Sequence, residues 1–140
     1  MTCEILRVDR ARAWPPRPTE LTRVFWDALA EGRFQTTKCA DCNRFTFPPK
    51  PFCPHCWSKA HAWEALSGRG TLYSRTVIHA APKVFADQAP IHVGIVDLEE
   101  GLRICCALVE DDGPIPLDAP VEIVVLAHTD GPLFAARART

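Results

Sequence analysis

From residue 70 onward the chain alternates apolar and polar positions in short runs rich in β-branched residues, separated by Gly and Pro. A period of two over such lengths predicts strands at 70–79, 91–98, 102–109, 121–128 and 132–138. "LEEGLR" between the second and third reads as a hairpin turn, with Gly101 placed for positive φ. Five short strands with no long helix between them predict a small antiparallel barrel, for which the five-stranded OB-fold is the obvious architecture.

Upstream the period changes to that of a helix. Leu21, Val24, Phe25, Ala28 and Leu29 fall on one face, with Thr19 as cap, Gly32 as stop and Trp26 widening the stripe. The spacing predicts a helix from Glu20 to about Glu31. A lone helix must bury such a face against its own domain or against a partner, which makes Phe25 and Trp26 candidate partner contacts. Residues 1–18 end in "WPPRP", whose prolines remove donors and extend their neighbours, so this stretch reads as an extended arm.

Between helix and barrel, Cys39-x-x-Cys42 and Cys53-x-x-Cys56 form two identical steps. Two such knuckles present four thiolates to one tetrahedral ion, and the intervening Pro48, Pro49 and Pro51 stiffen the connector. A structural zinc is favoured over a redox dithiol. Four protein sulfurs leave no open coordination position for activating water, and the ion supplies folding energy that a ribbon of this size cannot draw from apolar burial. His55, inside the second knuckle, and His61 are spare to a complete four-sulfur set. The organisation expected is therefore an arm (1–18), a helix (19–33), a zinc ribbon (34–66) and an OB-fold (67–140), mainly β overall.

Composition adjusts this picture modestly. The 140 residues carry a net charge of −1, divided as +4 over residues 1–60 and −5 over residues 61–140. A nucleic-acid domain usually shows a basic stripe and a high pI, so a single-stranded nucleic-acid-binding module remains the rival reading on fold analogy alone. The candidate strands contain only Tyr73 and Phe134 as aromatics, which also speaks against it. No apolar run is long enough for a signal peptide or a membrane span, and paired Cys-x-x-Cys steps suit a reducing compartment, so a cytoplasmic protein is expected. Cys105 and Cys106 alternate across one strand, and at least one should be a core residue. His79, His92 and His128 fall on or at the ends of strands with no partner at an interpretable spacing, so no catalytic residue is assigned.

"VFWDALAEGRF", "KCADCNRFTFPPKPFCPHC", Trp63, "SGRGTLYS" and "GPLFAARA" together resemble a family of acyl-CoA-associated proteins. Its members join an N-terminal helix and a rubredoxin-like zinc ribbon to a C-terminal OB-fold, and the resemblance spans about residues 20–138. It implies Cys39, Cys42, Cys53 and Cys56 as zinc ligands. It also implies an accessory subunit beside a thiolase-like or ketosynthase-like acyltransferase, with a third enzyme subunit as a further partner. In that reading the chain bridges or stabilises those enzymes and helps hold coenzyme A or acyl-CoA at a shared site. Lys50, Arg69 and Lys83, placed near the ribbon–barrel junction, are the candidate phosphate contacts. Phe47 and Trp57 are candidate surfaces for pantetheine or partner. One departure stands out: the family pattern favours Gly after each knuckle, and this chain has Asn43 and Trp57. Asn tolerates positive φ and Trp does not readily, so Trp57 implies either a differently shaped second knuckle or an exposed aromatic placed for contact.

Overall fold

The computed structural model describes residues 2–140. Its first strand, β1 (Ile5–Arg7), is followed by helix α1 (Glu20–Ala30). Strands β2 (Gln35–Cys39), β3 (Phe45–Thr46) and β4 (His61–Ala65) form a small antiparallel sheet in the order β3-β2-β4. The remaining strands are β5 (Arg69–Ile78), β6 (Ile91–Leu98), β7 (Arg103–Val109), β8 (Pro120–His128) and β9 (Gly131–Ala138).

Helix α1 begins and ends as its sequence requires. Thr22 donates its backbone N–H to Thr19 Oγ1 at 3.1 Å, and the Thr19 N–H returns to Thr22 Oγ1 at 2.7 Å, a reciprocal cap with threonine in the place usually taken by Glu. At the other end Gly32 adopts φ +85°, donating to Leu29 C=O while Arg33 donates to Ala28 C=O. That pair of bonds satisfies two orphan carbonyls, and it needs the left-handed residue that Gly supplies. Of the expected apolar face, Phe25, Ala28 and Leu29 are buried, whereas Val24 is 40% exposed and lies outside the packed stripe.

Strands β5 to β9 close a five-stranded barrel in the order β5-β6-β7-β9-β8, with β8 returning to β5. All pairings are antiparallel except β7 with β9, the arrangement of an OB-fold. Leu72, Val96, Val121 and Val125, all fully buried, centre the barrel core. Gly101 turns the β6–β7 hairpin at φ +87° as expected. Strand β5 carries a bulge between Leu72 and Ser74 that leaves Tyr73 half exposed.

Two features were not foreseen. Within the stretch expected to be an arm, β1 pairs in parallel with residues 125–127 of β8, covering the part of β8's edge that β5 leaves after residue 122. A 3₁₀ turn (Lys83–Gln88) also interrupts the β5–β6 connection.

Helix, ribbon and barrel share one aromatic core. Phe25 of α1, Phe34 at the entry to the ribbon, Phe47 of the proline-rich loop and Phe134 of β9 meet in all six pairings, with centroids 5.5–6.1 Å apart. Such distances suit edge-to-face and tilted aromatic packing.

Candidate functional site

The two knuckles share the same pair of backbone hydrogen bonds. Asn43 donates to Cys39 C=O at 3.1 Å and Cys39 to Arg44 C=O at 2.9 Å; Trp57 donates to Cys53 C=O and Cys53 to Ser58 C=O, both at 2.8 Å. The residue after each second cysteine is left-handed, Asn43 at φ +60° and Trp57 at φ +65°. The second knuckle is therefore not differently shaped, and a bulky side chain holds a backbone conformation that disfavours it. Ser58 donates its hydroxyl to the Asp41 carboxylate, tying one knuckle to the other.

The four sulfurs all lie within 4.8 Å of one another, with Cys39 to Cys56 and Cys42 to Cys53 both at 3.6 Å. A zinc tetrathiolate with bonds of about 2.3 Å has sulfur–sulfur edges of about 3.8 Å, so the four side chains fit that ion. Backbone N–H groups of Cys42 and His55 point at Cys39 Sγ and Cys53 Sγ, at 3.5 and 3.4 Å. The Cys42 N–H leads in lowering the Cys39 thiol, while against the Ser58 N–H the neighbouring sulfurs push the Cys56 thiol up, so the four thiols share their protons as one set until a metal displaces them. His55 and His61 stand apart from this cluster, His61 through a contact of its Nδ1 with Lys59 C=O. The zinc ribbon and its four clustered cysteines support one structural zinc.

A second feature lies beside the shared aromatic core. A cavity of about 430 Å³ is walled by Phe25, Trp26, Phe47 and Phe134, with Arg17, Arg103 and Cys105 also lining it. Arg103 is firmly aimed: its guanidinium lies 3.7 Å from the centroid of the Tyr73 ring and makes two bonds to Asp97, at 2.6 and 3.1 Å. Arg17, held between two prolines, and Arg103, opening β7, are cations that sequence reasoning did not select.

The cations it did select are dispersed. Lys50 is half buried, with its backbone N–H 3.3 Å from Thr37 Oγ1, and Arg69 opens β5. Lys83 comes five residues after the far end of that same ten-residue strand, whose own ends are about 30 Å apart at an ordinary rise per residue. None of the three lines the cavity. Phe25 is 3% exposed, so its ring belongs to the core and the cavity wall rather than to an outer contact surface. Trp26 and Phe47 are half buried, while Trp57 is 72% exposed.

Cys106 is buried, and burial pushes its thiol up to about 12, so it is a core residue and not a thiolate. His92 does have a partner: its Nδ1 lies 2.7 Å from Glu110 Oε1. That carboxylate, 3% exposed, also accepts from Arg75 and from the Ile115 N–H. Burial works to raise the Glu110 carboxyl, but Arg75, Ile115 and His92 together hold it below the usual range. The two are 18 positions apart in sequence and meet through the β6–β7 hairpin, whose register sets Val93 opposite Ala107, so no motif spacing marks them until that register is known.

No helix among the described residues is long and apolar enough to cross a membrane. Residues 26–62 match the family described as "ChsH2, rubredoxin-like zinc ribbon domain", and residues 63–126 match "ChsH2, C-terminal OB-fold domain". A DUF35 domain-containing scaffold protein of Methanocaldococcus jannaschii is 42% identical over 74 residues, 52% of each chain, so the match spans about half of that relative. Benzoylsuccinyl-CoA thiolase subunit BbsA of Thauera aromatica is 35% identical over 106 residues, covering 71% of this chain and 69% of that one. Among solved structures, the "Ltp2-ChsH2(DUF35) aldolase" superposes with a TM-score of 0.75 at 31% identity, over 89% of this chain and 98% of that one.

Proposed function

Since this chain belongs to the DUF35 family, in which a ChsH2-type zinc ribbon precedes an OB-fold, we propose that it is an accessory subunit of a multicomponent acyl-CoA enzyme. It bridges or stabilises a thiolase- or aldolase-type partner and holds the pantetheine arm or acyl group of a coenzyme A thioester. The names of the similar proteins, a scaffold, a thiolase subunit and an aldolase, support the kind of partner.

The observation that carries the reading is the aromatic cavity with Arg17 and Arg103 on its lining. Its volume is in the lower part of the range for small-molecule sites, and its walls are apolar with a few polar groups, as such sites are. It is sized for a pantetheine arm or an acyl group rather than for the whole coenzyme. The nucleotide end would then lie outside, where Arg17 and Arg103 can meet phosphate oxygens. Zinc in a four-sulfur site has no position left for substrate, so its contribution is to hold the ribbon, and through Phe47 the cavity wall, in place. The partner supplies the nucleophile and the base.

The test is co-expression with the thiolase- or aldolase-type subunit of the same organism. Co-purification and a change in that subunit's activity are expected; a subunit that neither binds nor responds to the chain overturns the reading. Titration of the complex with coenzyme A tests the cavity separately. Arg17→Glu with Arg103→Ala should weaken binding at least tenfold, about 1.4 kcal/mol, and unchanged affinity would remove the ligand-holding part.

A further inference from the structure

The outer end of the second knuckle is built against its own backbone preference. Trp57 occupies φ +65°, where a Cβ crowds the following carbonyl, although the equivalent position of the first knuckle carries Asn43, which tolerates it. Among the described residues only one ring contact sets itself against this cost. The indole is 72% exposed, its N–H meets no acceptor among the described residues, and its one ring contact is with Phe52. The two rings lie flat on each other, 14° between planes with centroids 5.5 Å apart, and Phe52 is itself 37% exposed. They form a rigid apolar plate presented to solvent.

The charge around the plate is mainly positive, with the Asp41 carboxylate, which accepts from the Ser58 hydroxyl, as an exception. Residues 42–63 contain Arg44, Lys50 and Lys59 and no Asp or Glu. None of the three cations makes an ion pair among the described residues, whereas Lys38 of the same ribbon pairs with Glu64 at 3.4 Å. Lys50 and Lys59 each stand two residues from a ring of the plate, and Arg44 of the first knuckle lines a cleft with His55 of the second and with Glu100 and Arg103 of the barrel. The tetrathiolate leaves two negative charges inside the ribbon, but those are drawn inward by the ion and by the Cys42 and His55 N–H groups. The outward face keeps its cations.

Resting on the accessory-subunit reading above, we propose that the Trp57–Phe52 plate inserts into an apolar, carboxylate-rimmed cleft of the thiolase- or aldolase-type partner subunit, with Arg44, Lys50 and Lys59 facing its acidic rim. A rigid aromatic anchor ringed by charge is the usual form of an interface hot spot, and the charges set association rate and salt dependence. The strain at Trp57 then belongs to the interface, where the indole is used, and not to the ribbon.

That assignment predicts effects of opposite sign on folding and on binding. Trp57→Gly and Trp57→Asn should leave the zinc-loaded chain melting no lower than wild type, since both residues suit the left-handed backbone. Each should weaken binding to the co-expressed partner subunit at least about tenfold by calorimetry. Lys50→Glu with Lys59→Glu should weaken binding too and flatten its dependence on salt between low and physiological ionic strength. Variants at Trp57 that bind as tightly as wild type, or that lose melting temperature in step with affinity, overturn the proposal and make the indole a packing residue. A wild-type chain that binds no such subunit overturns the accessory-subunit reading together with it, an outcome distinct from failure at the plate alone.

Discussion

The ring of Phe47 meets that of Phe134 edge to face, with centroids 5.8 Å apart, so the ribbon's proline loop and the last barrel strand share one core. Neither ring is fully buried, while Phe34 between them is 1% exposed. Phe34→Ala should therefore cost about 3–5 kcal/mol in urea unfolding of the zinc-loaded chain. Phe47→Ala and Phe134→Ala should cost less singly, and a double-mutant cycle should return a coupling of about 0.5–1.5 kcal/mol. A coupling of zero would mean that ribbon and barrel are not joined through this pair.

Removal of the metal separates the two halves of the same core. With Cys39, Cys42, Cys53 and Cys56 as its ligands, the ribbon's folding is bound up with zinc, whose binding to small sites contributes about 10–16 kcal/mol. Chelation should abolish protection from hydrogen exchange in β2 to β4 and leave it in β5 to β9, with one zinc released per chain by colorimetric titration. Cys53→Ser should reproduce the chelated state. Uniform loss of protection over the whole chain would show instead that the barrel cannot stand without the ribbon.

The parts of this fold that could be read from sequence are those with short-range signals. Strand β6 falls at the expected residues 91–98, and Thr19 and Gly32 bound the helix where cap and stop chemistry place them. The cysteine steps declared the zinc ligands because ligand spacing is local. What escaped depends on which strands pair and in which register. Strand β1 has three residues, too few for a period, and exists because β8 outruns β5. Arg103 becomes a site residue only because the bulge at Tyr73 offers it a ring face and β6 offers Asp97. Lys83 follows the end of β5 opposite Arg69, and proximity in sequence to a strand says nothing about which of its ends is near the ribbon.

Glu110 gives a pH dependence with a definite sign. Its carboxyl is held below the ordinary value in the fold by Arg75, Ile115 and His92 against the cost of burial. A depressed folded pKa contributes stability that is present above the unfolded value near 4.5 and is lost as pH falls through the folded one. Urea midpoints should fall below pH 4.5 in wild type. Glu110→Gln should lower stability at pH 7 by about 1–3 kcal/mol, by stripping charge from bonds to a buried acceptor, and should flatten that acid limb. An acid limb unchanged in the variant would assign the loss to other carboxylates.

The arm is locked onto the barrel by a contact that leaves no room for a side chain. Arg12 donates its backbone N–H to Asp130 Oδ1 at 2.8 Å and its guanidinium to the carbonyls of Asp130 and Pro132, at 2.9 and 3.3 Å. Thr129 returns a bond to Arg10 C=O at 3.0 Å. Gly131 lies directly beneath, at φ +146°, and a Cβ there would come within 2.6 Å of the guanidinium carbon. Gly131→Ala should displace the Arg12 side chain and strain the β8–β9 turn, costing about 1–3 kcal/mol. Arg12→Ala should free the arm with a smaller loss, because the turn keeps its glycine. Tryptic cleavage after Arg10 should accelerate in both variants while the barrel's hydrogen-exchange protection falls only in Gly131→Ala. Equal cleavage of wild type and Arg12→Ala would mean that the arm is held by β1 and the Val8 N–H bond to Ala127 C=O, and that the Arg12 clasp is incidental to it.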